Sequence, residues 1–452
     1  MGEQSCRVNL HSKLTAVSSK PVEPGRTHQL TPLDQAMGKH SLHLVFYYDK
    51  NPFGSFDWDP IRVSLSETLS LYPPVTGRMT RGEAGNWEVK CNDAGVRVKR
   101  ANVSVTIDEW LRNANGIEEK DLAAWEEMPE NPNTWSTFHI QVSEFEGGGV
   151  AIGINCSHMN ADLTSLILLF KAWTEVHRRQ IIEHPPVFSS GSALHGREVP
   201  ITSTKSAKYY VTKSISPAPS VKMALTTFKF SNSVIKKCLS EIHVKCPDAT
   251  PFDLLAALFW MRIARLKSSK DEHKQSMSIC MDFRKLLKKP LPYGYFGNAL
   301  HFSLLTLEEK DVISGELANM ADAVHDNVAG IKEEEILSMV DWFESRKGEE
   351  GKYAPPFRMY GPELTCVNME HMINGDESLI YAAMFEENMK PAHVACHVGN
   401  VEGEGLIMVM PSAEEGLART VIVTLPEEEM VKLCEDEAIL SLEPTMLLSG
   451  GL

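Results

Sequence analysis

The stretch "INCSHMNADLTS", Ile154 to Ser165, sets an imidazole, His158, four residues ahead of a carboxylate, Asp162. A neutral imidazole takes a proton from a hydroxyl or amine while that group attacks an activated acyl carbon, which makes His158 a candidate general base near neutral pH. The same residues also close a strand and open a helix. Asp162 then serves as a helix N-cap or as half of a buried ion pair, and spacing alone does not choose among these roles. Cys156 carries a nucleophilic thiol in principle, but on an apolar strand it reads as a buried one.

A second grouping, "HVACH", contains His393, Cys396 and His397 and follows Pro391 in the apolar alternation of a strand. Residues four apart on a strand lie about 13 Å apart along the backbone, too far for one ion to hold both histidines, so no metal site is expected. The nine cysteines, Cys6, Cys91, Cys156, Cys238, Cys246, Cys280, Cys366, Cys396 and Cys434, include no CxxC pair and read as reduced, mostly buried thiols.

The elements that must position His158 are legible on both sides of it. "TFHIQVSEF", the glycines 147 to 149 and "VAIGINC" predict a hairpin over Thr137 to Cys156. Leu163, Leu166, Ile167, Phe170 and Trp173 then recur at helical spacing. The pattern dissolves from His184 to Ser220, which is rich in Pro, Ser and Gly and predicts a surface connection between domains. Beyond it, "LTTFKFS" reads as a strand and "TPFDLLAALFWMRIARL" as a helix, with Thr250 as N-cap, Pro251 at its first position and Asp253 completing a capping box. "SMSICMDF" and "ALHFSLLTL" read as strands, and the chain closes with two further strands and an acidic helix start. Strands and helices mix in both halves, so the class is α/β or α+β with two layered domains: 1–183, a crossover at 184–220, and 221–452.

A chain of 452 residues is too long for one ordinary core, and 43% hydrophobic with 23% charged residues is a globular composition. Sixty acidic against 45 basic residues give a formal charge of −15, which argues against nucleic acid as a partner. No stretch is apolar enough to span a bilayer and the first residues lack a secretory pattern, so a cytoplasmic protein is expected. "MGEQSC" has the Gly2 of a myristoylation motif but Cys6 where that motif takes Ser or Thr, and reads as a solvated tail.

His158-Met-Asn-Ala-Asp162 resembles the HXXXD signature of the plant BAHD acyltransferases. "HQLTPLDQAM" is similar to that family's opening segment, and "DFRKLLKKPLPYGYFGNAL", Asp282 to Leu300, to its stretch around a Gly-Asn pair. The segments fall in family order along nearly the whole chain. The resemblance implies two similar α/β domains of the chloramphenicol-acetyltransferase-like type with an active-site tunnel between them. It implies His158 as general base, an Asp162–Arg284 pair as structural support, acyl-coenzyme A as cosubstrate, an acyl acceptor, no bound cofactor and a monomer. Asn298 becomes a tunnel candidate. Lys288 and Lys289 read either as a solvated basic face or as partners for coenzyme A phosphates.

Two departures stand out: Leu163 follows the aspartate where the family has glycine, and "MFEENMKPAHV", Met384 to Val394, stands where the family has DFGWG. "VKCNDAGVRVKRANVSVTIDEWL", "MYGPELTCVNMEHM" and "VIVTLPEEEMVKL" look like the Eceriferum/Glossy-type branch of cuticular wax formation. That branch implies very-long-chain fatty acid elongation beside the elongase condensing enzyme, at the cytosolic face of the endoplasmic reticulum. Three readings follow: an acyl-coenzyme A-dependent transferase in wax biosynthesis, a non-catalytic accessory protein of the elongase, and an ordinary transferase acylating a plant alcohol, phenolic or amine.

Overall fold

Runs of alternating and continuous apolar residues build two large sheets in the computed structural model. It describes residues 7–53, 58–189, 194, 204–215, 221–267, 274–375 and 377–450. The Gly2 lipidation reading, Cys6 and part of the 184–220 connection lie outside the described residues.

Among the described residues, the first sheet has six strands in the order Val8–Ala16, Val96–Val103, Phe138–Phe145, Val150–Ser157, Ser41–Tyr48 and His393–Val398. Its centre is the expected hairpin: Ile140 pairs with Ile154 and Val142 with Ile152. The turn passes through Gly147 and Gly148 at φ 84° and 90°, where a side chain would be strained. Every residue of Val150–Ser157 is buried, which is why the strand reads as a continuous apolar run rather than an alternation. Helix Leu163–His177 covers one face, with Phe170 stacked on Phe46 at 3.8 Å between ring centres.

The second sheet has seven strands: Leu300–Glu308, Lys274–Asp282, Leu364–Asn368, Leu406–Pro411, Arg419–Pro426, Met223–Phe230 and Thr445–Leu447. Helix Pro251–Lys267 packs into its core and carries the expected capping box: Thr250 N donates to Asp253 Oδ2 at 2.8 Å and Asp253 N to Thr250 Oγ1 at 3.3 Å. One strand crosses the division expected from the sequence. His393–Val398 belongs to the second half of the chain but pairs with Ser41–Tyr48, His397 opposite His43, and completes the first sheet. It brings the 399–401 turn beside the start of Ser41–Tyr48, where Gly399 N donates to Ser41 O at 2.8 Å.

The connection over 184–220 is not irregular throughout. Residues Lys205–Ile215 form a helix that buries Ala207, Tyr209, Tyr210 and Lys213. Its composition is polar enough to hide the pattern, and its burial comes from tyrosines and a lysine that find polar partners rather than from an aliphatic stripe. Lys213 Nζ donates to Gly361 O and to Glu363 Oε1, both at 2.6 Å. The crossover is thereby fastened to the segment that precedes strand Leu364–Asn368.

Candidate active site

His158 follows directly on strand Val150–Ser157 and has no exposed surface. Its backbone N–H donates to His40 O at 3.0 Å. Its Nδ1 lies 3.1 Å from Ala161 O, and a carbonyl only accepts, so Nδ1 carries the ring hydrogen. Nε2 therefore presents its lone pair, and the Tyr360 hydroxyl donates to it at 3.0 Å. Burial pulls the imidazole's pKa below its ordinary 6.5, against the opposing pull of the Asp162 charge and of bonds to Ala161 and Asn298. The ring is neutral at neutral pH and its basic nitrogen faces a hydroxyl.

Asp162 performs both roles that the spacing left open. Its Oδ1 accepts from Ser165 N at 2.8 Å and caps helix Leu163–His177; its Oδ2 accepts from Arg284 Nη1 at 2.8 Å and Ala299 N at 2.9 Å. Neither oxygen bonds the His158 ring, whose Nδ1 hydrogen goes to Ala161 O, so the carboxylate fixes the turn that aims the imidazole and does not take its proton. Burial alone would raise the carboxyl's pKa, but Arg284 and the two backbone donors hold it below the ordinary range. Arg284 also contacts Asp282 and donates from Nη2 to Ser165 Oγ at 3.0 Å and Tyr295 O at 2.9 Å.

Asn298 is fully buried and holds the histidine by its backbone. Its Nδ2 donates to His158 O and to Asp34 Oδ1, each at 2.8 Å. Asp34 lies in the "HQLTPLDQAM" segment, on the short helix Pro32–Ala36 capped by Thr31, and is itself buried. Lys288 and Lys289 are exposed, with Lys288 beside Glu333, so neither is brought to His158. Cys156 is fully buried, and burial pushes its thiol well above its ordinary pKa. It stays protonated and is a poor nucleophile.

Sequence reasoning passed over Asp34, Asp282, His40 and Tyr360. His40 Nδ1 lies 3.1 Å from Gly399 O, its Nε2 accepts from Met359 N at 3.2 Å, and its ring meets Tyr360 edge-on at 5.1 Å. Asp282 carried a signal, two residues before Arg284 at the end of a strand. Tyr360 lies in the quoted "MYGPELTCVNMEHM" segment, but its contact with His158 was illegible because the two are 202 residues apart. The Met384–Val394 segment keeps an anchor of its own: Phe385 is buried against Trp173 and Phe53, ring centres 4.9 and 4.7 Å away.

Two cavities lie beside segments that contact this centre, and neither is lined by His158 or Tyr360. One of about 750 Å³ is lined by Tyr209, Lys213, His301, Glu335 and Glu363, next to the Gly361 carbonyl. The other, about 390 Å³, is lined by Leu225, His397, Val398, Asn400, Val401 and Met430, around Gly399.

The Transferase family model matches residues 6–440. The chain belongs to this family, the BAHD acyltransferases. A hydroxycinnamoyltransferase of Narcissus pseudonarcissus is 24% identical over 91% of this chain and 96% of its own. Protein ECERIFERUM 26-like of Arabidopsis thaliana is also 24% identical, over 93% of this chain and 92% of its own. The fold is that of vinorine synthase, with a TM-score of 0.70 at 17% identity over 96% and 98% of the two chains. It is equally that of Fusarium graminearum TRI101 complexed with coenzyme A and T-2 mycotoxin, TM-score 0.71 at 13% identity over 93% and 100%. Among the described residues, no helix of this BAHD protein is long and apolar enough to cross a membrane.

Proposed function

We propose that this BAHD protein transfers an acyl group from acyl-coenzyme A to a hydroxyl or amine, and that its acyl groups are the very-long-chain chains of fatty acid elongation and cuticular wax. The observation that carries the transfer reading is the His158 tautomer: Nδ1 is tied to the Ala161 carbonyl, so Nε2 alone is basic and points at a hydroxyl. Nε2 takes the acceptor proton as the acceptor attacks the thioester carbonyl. The coenzyme A thiolate leaves and recovers that proton from the imidazolium. The thioester supplies the leaving group, so the scheme calls on no metal and no redox cofactor. Asp162 and Arg284 hold the turn, and Asn298 holds the His158 carbonyl.

The acyl-chain assignment draws on likeness to the Eceriferum-type relatives, against equally similar hydroxycinnamoyltransferases. Its partners are then acyl-coenzyme A, an acceptor and the elongase condensing enzyme. The second reading, a non-catalytic accessory of the elongase, is favoured by the Tyr360 hydroxyl on Nε2 and the "EENMKP" departure. Both readings are tested by expressing wild type and His158→Ala beside the condensing enzyme in yeast, with fatty acid chain length as readout. Coenzyme A release by the purified proteins runs in parallel. Longer chains that require His158 support transfer, and longer chains indifferent to it support the accessory reading. Unchanged chains with efficient acylation of a phenolic or alcohol point to an ordinary metabolite transferase.

A further inference from the structure

The hydroxyl that His158 faces belongs to the protein itself. Tyr360 Oη sits 3.0 Å from Nε2, within the roughly 2.6–3.2 Å at which a general base holds the hydroxyl it will deprotonate. We propose that Tyr360 occupies the acceptor position of this enzyme, so that a hydroxyl or amine reaches His158 only by displacing the Tyr360 ring from it. The proposal rests on the reading of His158 as the general base.

Three observations carry it. First, the contact is sealed: His158 and Met359 have no exposed surface and Tyr360 is 1% exposed, so no acceptor fits beside the phenol as the ring stands. Second, the ring is gripped on several sides. It meets Phe302 and His40 edge-on at 5.4 and 5.1 Å, and its hydroxyl also contacts the Cys280 thiol. Third, the contacts on either side of Tyr360 lead to residues that line two cavities, although Tyr360 itself lines neither. Its neighbour Gly361 gives its carbonyl to Lys213, which with Tyr209 and Glu363 lines the larger cavity. Its ring partner His40 bonds Gly399, flanked by Val398 and Asn400 of the smaller one. Withdrawal of this one side chain is the proposed step that connects His158 to that space. The chain beyond the ring requires glycine: Gly361 turns at φ 100°, and a Cβ there would lie 2.4 Å from Glu402 O.

The chemistry explains what such an occupant does. A bound thioester beside an open imidazole is attacked by water as well as by an acceptor, and the internal phenol keeps water from that nitrogen until an acceptor with enough apolar surface replaces it. Tyr360 is thus a specificity residue that selects acceptors by their ability to displace a buried ring.

The test is thiol release from palmitoyl-coenzyme A without added acceptor, in wild type, Tyr360→Ala and Tyr360→Ala/His158→Ala, with binding measured separately. The alanine variant is expected to hydrolyse the thioester about tenfold or more faster than wild type, and removal of His158 to abolish the gain. A folded alanine variant that binds palmitoyl-coenzyme A and hydrolyses it at the wild-type rate overturns the proposal, as does a gain that survives loss of His158. If the alanine variant does not fold, Tyr360→Leu carries the test, because it keeps apolar packing while removing both the ring that covers Nε2 and its hydroxyl. Carbethoxylation of His158 by diethyl pyrocarbonate, read by peptide mass, should then rise about fivefold, the scale of one hydrogen bond; an unchanged rate overturns the proposal. If no variant binds or cleaves the thioester, the transfer reading fails, and the carbethoxylation rates still decide whether Tyr360 shields His158.

Discussion

Arg284 grips both carboxylate oxygens of Asp162, Nη1 to Oδ2 at 2.8 Å and Nη2 to Oδ1 at 3.0 Å, with both side chains fully buried. A buried bidentate pair is strong only as a pair, since the desolvation of each charge is offset by the other and by the surrounding donors. Here it spans 122 residues and joins the strand end at Asp282 to the turn that carries His158.

Breaking this pair should cost about 3 to 5 kcal/mol, and the two ends should not be equivalent. Arg284→Met leaves both Asp162 and Asp282 without their cation, whereas Asp162→Asn leaves Arg284 with Asp282. Urea titrations should therefore show the larger loss for Arg284→Met. Equal, small losses would mean that the pair is not what fixes the turn.

His158→Ala should lower acyl transfer by about two orders of magnitude or more, the usual scale for loss of a general base. Its effect on elongase product length should be smaller, because apolar binding tolerates shape change better than proton transfer tolerates displacement by about 1 Å. Steady-state coenzyme A release and yeast fatty acid profiles check the two halves separately.

Asn298 offers a sharper test of positioning. Asn298→Asp is nearly isosteric but sets a second carboxylate against Asp34 and withdraws the donor to His158 O, while Asn298→Ala removes the side-chain donor to both but leaves Asp34 Oδ1 its bond from Asn298 N. The alanine change should cost about 1 to 3 kcal/mol and the aspartate change more. In both, kcat should fall while KM for acyl-coenzyme A holds. A shift confined to KM would place Asn298 in substrate binding.

The hairpin over Phe138–Phe145 and Val150–Ser157 and the capped helix after Asp162 were legible because their signals are local: a period of residues, a glycine turn, a cap. The pairing of Asp162 with Arg284 was legible only through family resemblance, since nothing local links residues so far apart. Tyr360 lies in the "MYGPELTCVNMEHM" segment that carries the branch resemblance, but nothing local linked its hydroxyl to His158. The helix Lys205–Ile215 was missed because its buried side is made of tyrosines and Lys213, which periodicity counts do not score as core. Lys288 and Lys289 are exposed, as the reading of a solvated basic face expects.

Acid should weaken the fold in two stages. Burial pulls His40 and His393 down to about 3 and His28, His43, His139 and His301 to about 4, from an ordinary 6.5. Between pH 6.5 and those values the unfolded chain binds protons that the folded chain refuses, so unfolding free energy rises with pH across this window and falls on acidification. Each such histidine contributes a slope of up to about 1.4 kcal/mol per pH unit. Asp162 acts lower: its folded pKa is depressed, so its contribution is present above about pH 3.9 and disappears as pH falls through the folded value. Urea midpoints between pH 7 and 5 should already decline, before Asp162 is protonated. His393 isolates the effect, because neither ring nitrogen has a hydrogen-bond partner among the described residues and its ring lies 5.8 Å from that of Tyr47. His393→Phe removes an unpaired buried polar group, so it should keep or raise stability at pH 7 and reduce the slope below pH 6.5 by about one proton. An unaltered slope in that variant would show that His393 is not among the groups that set the acid limit.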